Sequence, residues 1–244
     1  MTSKTGRLVL VELRRATDTP GPRWAIGTCV AAGLALALFQ PGGTPESLAT
    51  FVSGATLALP LLVALLSVMA FTADWTTRAA LVTFAITPRR SMVLAARSIA
   101  VLLISVGLVV ALHVVAAVAY VFVRPSSAAT VVDPATASQF GSMVGLTIAV
   151  TLTTVSVAGL VLRTSLALVV AVLAPFFITI GLVFVPEVSL WFGPYSFANW
   201  LAAPTWHLQV KDGIGIGPAF VSFVVWTVVP FALSWLRQVR AEPR

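Results

Sequence analysis

Six stretches of this chain, 24–40, 48–72, 98–123, 139–162, 166–185 and 216–236, run close to 20 residues without an acidic or basic side chain. A helix needs roughly 20 apolar residues to cross a hydrocarbon core about 30 Å thick, so each run can supply one crossing. The first is short and the third long, differences that thinning, tilt or interface anchoring absorb. Charged residues make up 9% of the chain and hydrophobic ones 59%, whereas a water-exposed domain carries about 25% charge. A soluble globular fold is excluded, and the net charge of +7 is to be read against a membrane instead of nucleic acid.

Placing the amino terminus on the cytoplasmic side puts thirteen of the fifteen basic residues on that side, with only Arg124 and Lys211 outside. The eight acidic residues divide evenly. Lys and Arg set orientation while acids contribute little, so six spans with both termini in the cytoplasm is the expected topology. Cys29, the one cysteine, falls within the first span, which excludes disulfides within the chain and cysteine-rich metal sites.

Residues 1–23 read as an amphipathic elbow on the cytoplasmic face. At 100° per residue, Val9, Leu10, Leu13 and Ala16 share one arc, with Lys4, Arg7, Glu12, Arg14 and Arg15 on the other. The stretch DTPGP at 18–22 predicts a sharp turn before span one. A basic leader that only sets topology is the alternative.

The most informative segment is 73–97, which carries Arg78, Arg89, Arg90 and Arg97. Burying these four in hydrocarbon would cost roughly 3 kcal/mol each, so the segment is expected outside the bilayer. Thr87 can cap a helix, and Pro88 suits a first helical position because its missing N–H has no partner there. Upstream, Trp75, Ala79, Val82 and Ile86 fall within about 60° of a helical wheel, a narrow stripe for the interface. Asp74 precedes Arg78 by four residues, the favourable order for an ion pair. Leu81 and Phe84 lie on a different side and suggest a docking surface.

The run ADWTTRAALVTFAITPRRSMVLAARSIAVLL resembles the first cytoplasmic loop of the type-2 family of ATP-binding-cassette (ABC) transporter permeases. That family has an acidic residue, often with Trp, after span two, then a coupling helix, a Thr-Pro-basic turn and a cation before span three. Asp74 and Trp75 match the start, Thr87-Pro88-Arg89-Arg90 the turn and Arg97 the closing cation. Arg78-Ala79 stands where the family often has Gly-Thr. The resemblance implies a permease subunit of an exporter that pairs with a second copy of itself or a related permease in a bacterial plasma membrane. A separate ABC ATPase would bind ATP and Mg, and Asp74, Trp75, Arg78, Leu81, Phe84, Arg89 and Arg90 would contact it. No G-x-x-x-x-G-K-[ST] sequence occurs in the chain, so ATP phosphates have no P-loop here, and this chain is expected to bind no cofactor.

Inside the spans, His113 is an ionisable side chain in the middle of span three, and such residues are functional candidates by default. The alternative is a neutral histidine bonded to a neighbouring helix. Thr147, Thr151 and Thr154 form a hydroxyl stripe on span four that could line a substrate path. Gly141 and Gly145, with Gly159 near the same face, suit close helix packing. The aromatic-rich segment 186–215 reads as an outer interface belt, or as short re-entrant helices of the kind the resembling family has. His207 with Glu187 or Asp212 matches no metal-ligand spacing.

The expected fold is therefore all-α: a single polytopic membrane domain over 1–244, with six transmembrane helices, an elbow at 1–23, a coupling helix in the 73–97 loop and an outer loop at 186–215. The expected function is ATP-driven export of a hydrophobic or amphipathic compound, with catalysis on the partner. An ATP-independent carrier or a membrane-anchored regulator is the alternative, and an integral-membrane enzyme a third, although the spans hold no carboxylate to support proton-coupled or acid–base chemistry.

Overall fold

The structure, a computed structural model, describes residues 4–18, 20–39, 47–76, 90–124, 134–194, 196–202 and 215–240. Every regular element among them is helical. In chain order these are α1 (Lys4–Asp18), α2 (Pro20–Leu38), α3 (Leu48–Thr56), α4 (Leu59–Thr76), α5 (Arg90–Val123), α6 (Pro134–Val161), α7 (Thr164–Leu182), α8 (Pro186–Phe192), α9 (Ser196–Ala202) and α10 (216–240). Five helical segments are long and apolar enough to cross a membrane, and a sixth qualifies only if α1 and α2, bent by 69°, count together.

The bend between α1 and α2 is tighter than the sequence predicts. α1 ends at Asp18 and α2 already begins at Pro20, so the two prolines open a helix where a separating turn was expected. The reason is that proline in a first turn loses no hydrogen bond. Arg23 fastens the corner by donating from Nε to the Thr17 carbonyl (2.8 Å) and pairing with Asp18 (3.2 Å). Span two is broken into α3 and α4 at Leu57-Ala58, because Pro60 cannot donate to the carbonyl of Thr56 and its ring crowds that turn. The helix that contains span three starts at Arg90, ahead of the uncharged run that begins at Ser98, so Arg97 lies inside a helix.

α6 is the hub, packing on α4, α5, α7, α9 and α10. The core stacks in three levels. One end holds Phe51, Val52, Ala116 and Tyr120, with the Phe51 and Tyr120 rings 5.5 Å apart. The middle holds Leu62, Val63, Leu108, Leu112 and Met143, and the other end Val68, Phe71, Leu94, Val155 and Ala158. That last end also gathers α1, the start of α5, the α6–α7 corner and the end of α10, and with them Arg97, Arg163 and Arg237. At the corner Leu162 adopts a left-handed conformation (φ 58°), which turns the chain from α6 into α7 within two residues. Arg237 donates to the carbonyl of Leu160, placing a cation on the negative end of α6.

Small residues serve this packing differently from one another. Gly159 lies directly against Ser234 and Gln238 of α10, where a methyl group would collide with both. Gly145 faces the Leu201 side chain of α9, while among the described residues nothing lies within 4 Å of a methyl group placed at Gly141. Among those residues the Gly141/Gly145 pair is thus not a single contact surface.

Candidate functional site

A cavity of about 300 Å³ opens at mid-height of the bundle, between α4, α6, α7, α9 and α10. Three of the four spans around it are irregular at this level. Span two is interrupted at Leu57-Ala58, and α7 and α10 each contain one π-helical turn, Val169–Leu173 and Val224–Val228. Each π turn starts six residues before a proline, Pro175 and Pro230. A proline leaves the carbonyl four residues back without its donor and collides with it, and a π turn widens the helix to relieve both. Ala171, Val172, Trp226 and Thr227 of these two turns line the cavity.

The cavity wall is mostly apolar, with hydroxyls held in fixed positions. Thr153 and Thr227 join α6 to α10 through their hydroxyls (2.9 Å). Thr154 donates to the carbonyls of Val150 (2.8 Å) and Thr151 (3.0 Å) on its own helix. From α10, Ser222 donates to the Gly193 carbonyl (2.8 Å) and the Trp226 indole to the Phe192 carbonyl (2.8 Å), so the segment 186–202 closes over one side. Phe197 stacks above, its ring 4.6 Å from Phe223. No charged side chain lines the cavity among the described residues, so it suits a ligand that is apolar or carries neutral polar groups.

Of the expected substrate-path residues, Thr154 lines this cavity, while Thr147 and Thr151 are buried against neighbouring helices, with Thr151 donating to the Thr147 carbonyl (2.7 Å). His113 lies elsewhere, between α5 and α6. Its Nδ1–H donates to the Val109 carbonyl (2.8 Å) one turn back, its ring meets Phe140 edge-on at 5.1 Å, and its Nε2 has no partner among the described residues. No bond from His113 to a neighbouring helix is made among the described residues. Thr153, Ser222, Trp226 and Thr227 were not legible as site residues singly. Trp226 and Thr227 fall within VVWTVVP at 224–230, which repeats the Val-Val-x-x-x-x-Pro pattern of VVAVLAP at 169–175, while Thr153 and Ser222 lie outside both stretches.

A second polar assembly sits at the end of the bundle that carries α1. Arg97, 3% exposed, meets Glu12 through Nε and Nη2, both at 3.4 Å, and lies 5.9 Å over the Phe71 ring. Glu12 was expected on the solvated arc of α1, but it faces α5 beside half-buried Val9, Leu13 and Ala16, while Arg7, Arg14 and Arg15 of that arc stay exposed. Leu10 and Val11 are left exposed on another side. Burial and the positive charge of Arg97 lower the pKa of Arg15, against a smaller opposing effect of Glu12.

Of the expected ATPase contacts, Asp74 and Trp75 belong to the last turn of α4 and Arg90 to the first of α5. Arg78, Leu81, Phe84 and Arg89, and the turn at Thr87-Pro88, lie outside the described residues, as do His207 and Asp212. No cluster of three metal-ligating side chains occurs among the described residues. The architecture is that of an all-helical chain with five or six helices able to span a bilayer. Compared with family models, with curated proteins and with solved structures, the chain matches none.

Proposed function

We propose that this chain is a membrane-spanning transport subunit, the permease of an ATP-driven exporter whose ATPase is a separate cytoplasmic protein. The observation that carries transport is the mid-height cavity, lined where three spans lose regular helical form. Irregular backbone at membrane depth survives only where protein or a cavity satisfies it, and carriers place their binding sites at such broken helices. The uncharged, hydroxyl-dotted wall favours a hydrophobic or amphipathic cargo.

Dependence on ATP rests on the resemblance of residues 73–97 to the coupling loop of type-2 ABC permeases. It is supported by the gathering of α1 and the ends of α4 and α5 at one end of the bundle, the layout in which an elbow and a coupling loop would meet the same partner. By the distribution of basic residues that end faces the cytoplasm. ATP binding would close the partner dimer, draw together the 74–97 loops of two copies and shift the helices around the cavity. An ATP-independent carrier shares the cavity and differs in lacking the partner.

Affinity purification of the tagged chain in mild detergent separates the two. The expected result is co-purification of a P-loop ATPase whose recovery is lost when Arg89 and Arg90 are changed to glutamate. Recovery of the chain alone, even after crosslinking in membranes, would return the proposal to an ATP-independent carrier. Thr153→Trp, which fills the cavity, is expected to abolish export while leaving ATPase recovery unchanged.

A further inference from the structure

The mid-height cavity is open toward the bilayer. Pro60 is the central residue of the 25-residue span Leu48–Thr72, so Leu57 and Leu61 stand within about 5 Å of mid-depth. Both line the cavity and are 56% and 58% exposed, whereas the other described residues of its wall are buried or half-buried. Val172 and Pro175 line it from α7. That helix is held to the bundle at its start, where the Thr164 hydroxyl meets that of Thr72 (2.7 Å) and Ala167 is wholly buried. From Val169 to Leu182 none of its residues is buried, so the wall is incomplete between span two and α7.

Along the bundle axis the cavity is closed. One helical turn from Ala64, Thr154 and Ala171 of the wall, toward the end that carries α1, come Val68, Ala158 and Ala167, all fully buried in one cluster. They form a floor against water from that end. At the other end Pro194 and Phe197 stand over the cavity, in the segment fastened by the bonds from Ser222 and Trp226 to the carbonyls of Gly193 and Phe192. The opening that remains lies at a depth where acyl chains surround the chain.

The chemistry of the wall narrows what can pass. Thr153 and Thr227 share one hydrogen bond, which leaves one O–H of the pair to donate, and Thr154 keeps acceptor lone pairs after donating to its own helix. A charge carried to this depth would meet no opposite charge among the described lining residues. We propose that cargo enters this cavity sideways from the hydrocarbon, between Leu57 and Leu61 on one side and Val172 and Pro175 on the other. The cargo is an uncharged molecule dissolved in the membrane, apolar over most of its surface and carrying a hydroxyl or carbonyl group. The inference rests on the reading of this cavity as the cargo site and adds its entrance and the charge class it admits. Because lipid tails are as apolar as the wall, selection falls to shape and to the threonine hydroxyls.

The test places a nitroxide on Thr153→Cys in the Cys29→Ser chain, reconstituted in phosphatidylcholine vesicles. Its collision rates are measured with oxygen, which concentrates in hydrocarbon, and with a water-soluble nickel chelate. Oxygen collisions are expected to exceed nickel collisions by at least about tenfold, because an unpartnered polar solute enters hydrocarbon at a high cost. Adding Leu57→Trp and Leu61→Trp, which crowd the mouth without making it polar, should lower the oxygen rate at least about threefold. A label on Val150→Cys, elsewhere on the wall, should repeat both results. Dodecanol should lower the oxygen rate at least about twofold by occupying the cavity, and dodecyltrimethylammonium, of the same chain length, should not. Circular dichroism of each variant establishes that it folds. Nickel collisions as frequent as oxygen collisions overturn the sideways entrance and give a cavity open to water. Rare collisions with both overturn it too, the mouth being covered by a second copy or shut. An oxygen rate untouched by the two tryptophans refutes this mouth, and equal effects of the two amphiphiles refute the charge class. Failure of the transport reading shows separately, as export undiminished by Thr153→Trp.

Discussion

Glu12 and Arg97 illustrate how a charge that looks forbidden in sequence is accommodated in the fold. Arg97 is almost fully buried, yet it has a carboxylate, an aromatic face and a polar cavity around it. Removing one member of such a pair strands the other, so Arg97→Met is expected to lower stability by about 3 kcal/mol. Adding Glu12→Leu to the same chain should restore more than half of that loss, measured by unfolding in detergent–SDS mixtures as a double-mutant cycle. Additive losses would mean that the two side chains do not interact. Leu162 makes the opposite case, a side chain that opposes its backbone. Its left-handed φ costs roughly 1–2 kcal/mol for an L-residue with a Cβ, and it is half-buried. Leu162→Gly is therefore expected to raise stability by up to about 1 kcal/mol, and a fall in the same titration would show that the leucine's packing outweighs the strain.

The spans were legible in the sequence, and their irregularities were legible only in part. Long uncharged runs locate α4 to α7 and α10 because hydrocarbon tolerates little else, whereas the pairing of Arg97 with Glu12, 85 positions away, has no signal in the sequence. Pro60, Pro175 and Pro230 were visible, but whether a proline kinks, breaks or widens a helix depends on what its neighbours can accommodate. Here a cavity gave the displaced backbone room. Single-cysteine chains built on Cys29→Ser should report this: Thr153→Cys, beside the cavity, is expected to react with a small membrane-permeant maleimide at least about tenfold faster than Thr151→Cys, which is fully buried. Equal rates would argue that the cavity is closed to small molecules. His113 shows the other limit of sequence reading. Its residue type suggested either a functional group or a bond to another helix, and only the fold reveals that Nδ1 is taken by the Val109 carbonyl of its own helix and that the ring packs on Phe140.

Taken as one bundle, the molecule is unevenly filled. Half or more of spans two and four is buried, against 6% of α7, whose Phe176, Phe177 and Ile180 face outward. In water such a surface would demand a cover, whereas in a bilayer lipid tails suffice, so the burial pattern marks where a second copy has room without requiring one. If the chain pairs with itself, Phe177→Cys in the Cys29→Ser background should form a crosslinked dimer in membranes with a short bis-maleimide, and buried Ala167→Cys should not. Failure of Phe177→Cys together with success at an exposed position of α5, such as Val114, would move the interface to the opposite face.

The contact between α1 and α5 also has a history in time. Glu12 is made 85 residues before Arg97, and a ribosome adding about 5–20 residues each second needs roughly 4–17 s to reach its partner. During that interval α2, α3 and α4 are already made while the first helix has no α5 to dock on. Its anchoring is consequently a late event in the birth of the protein, one that waits for the start of α5.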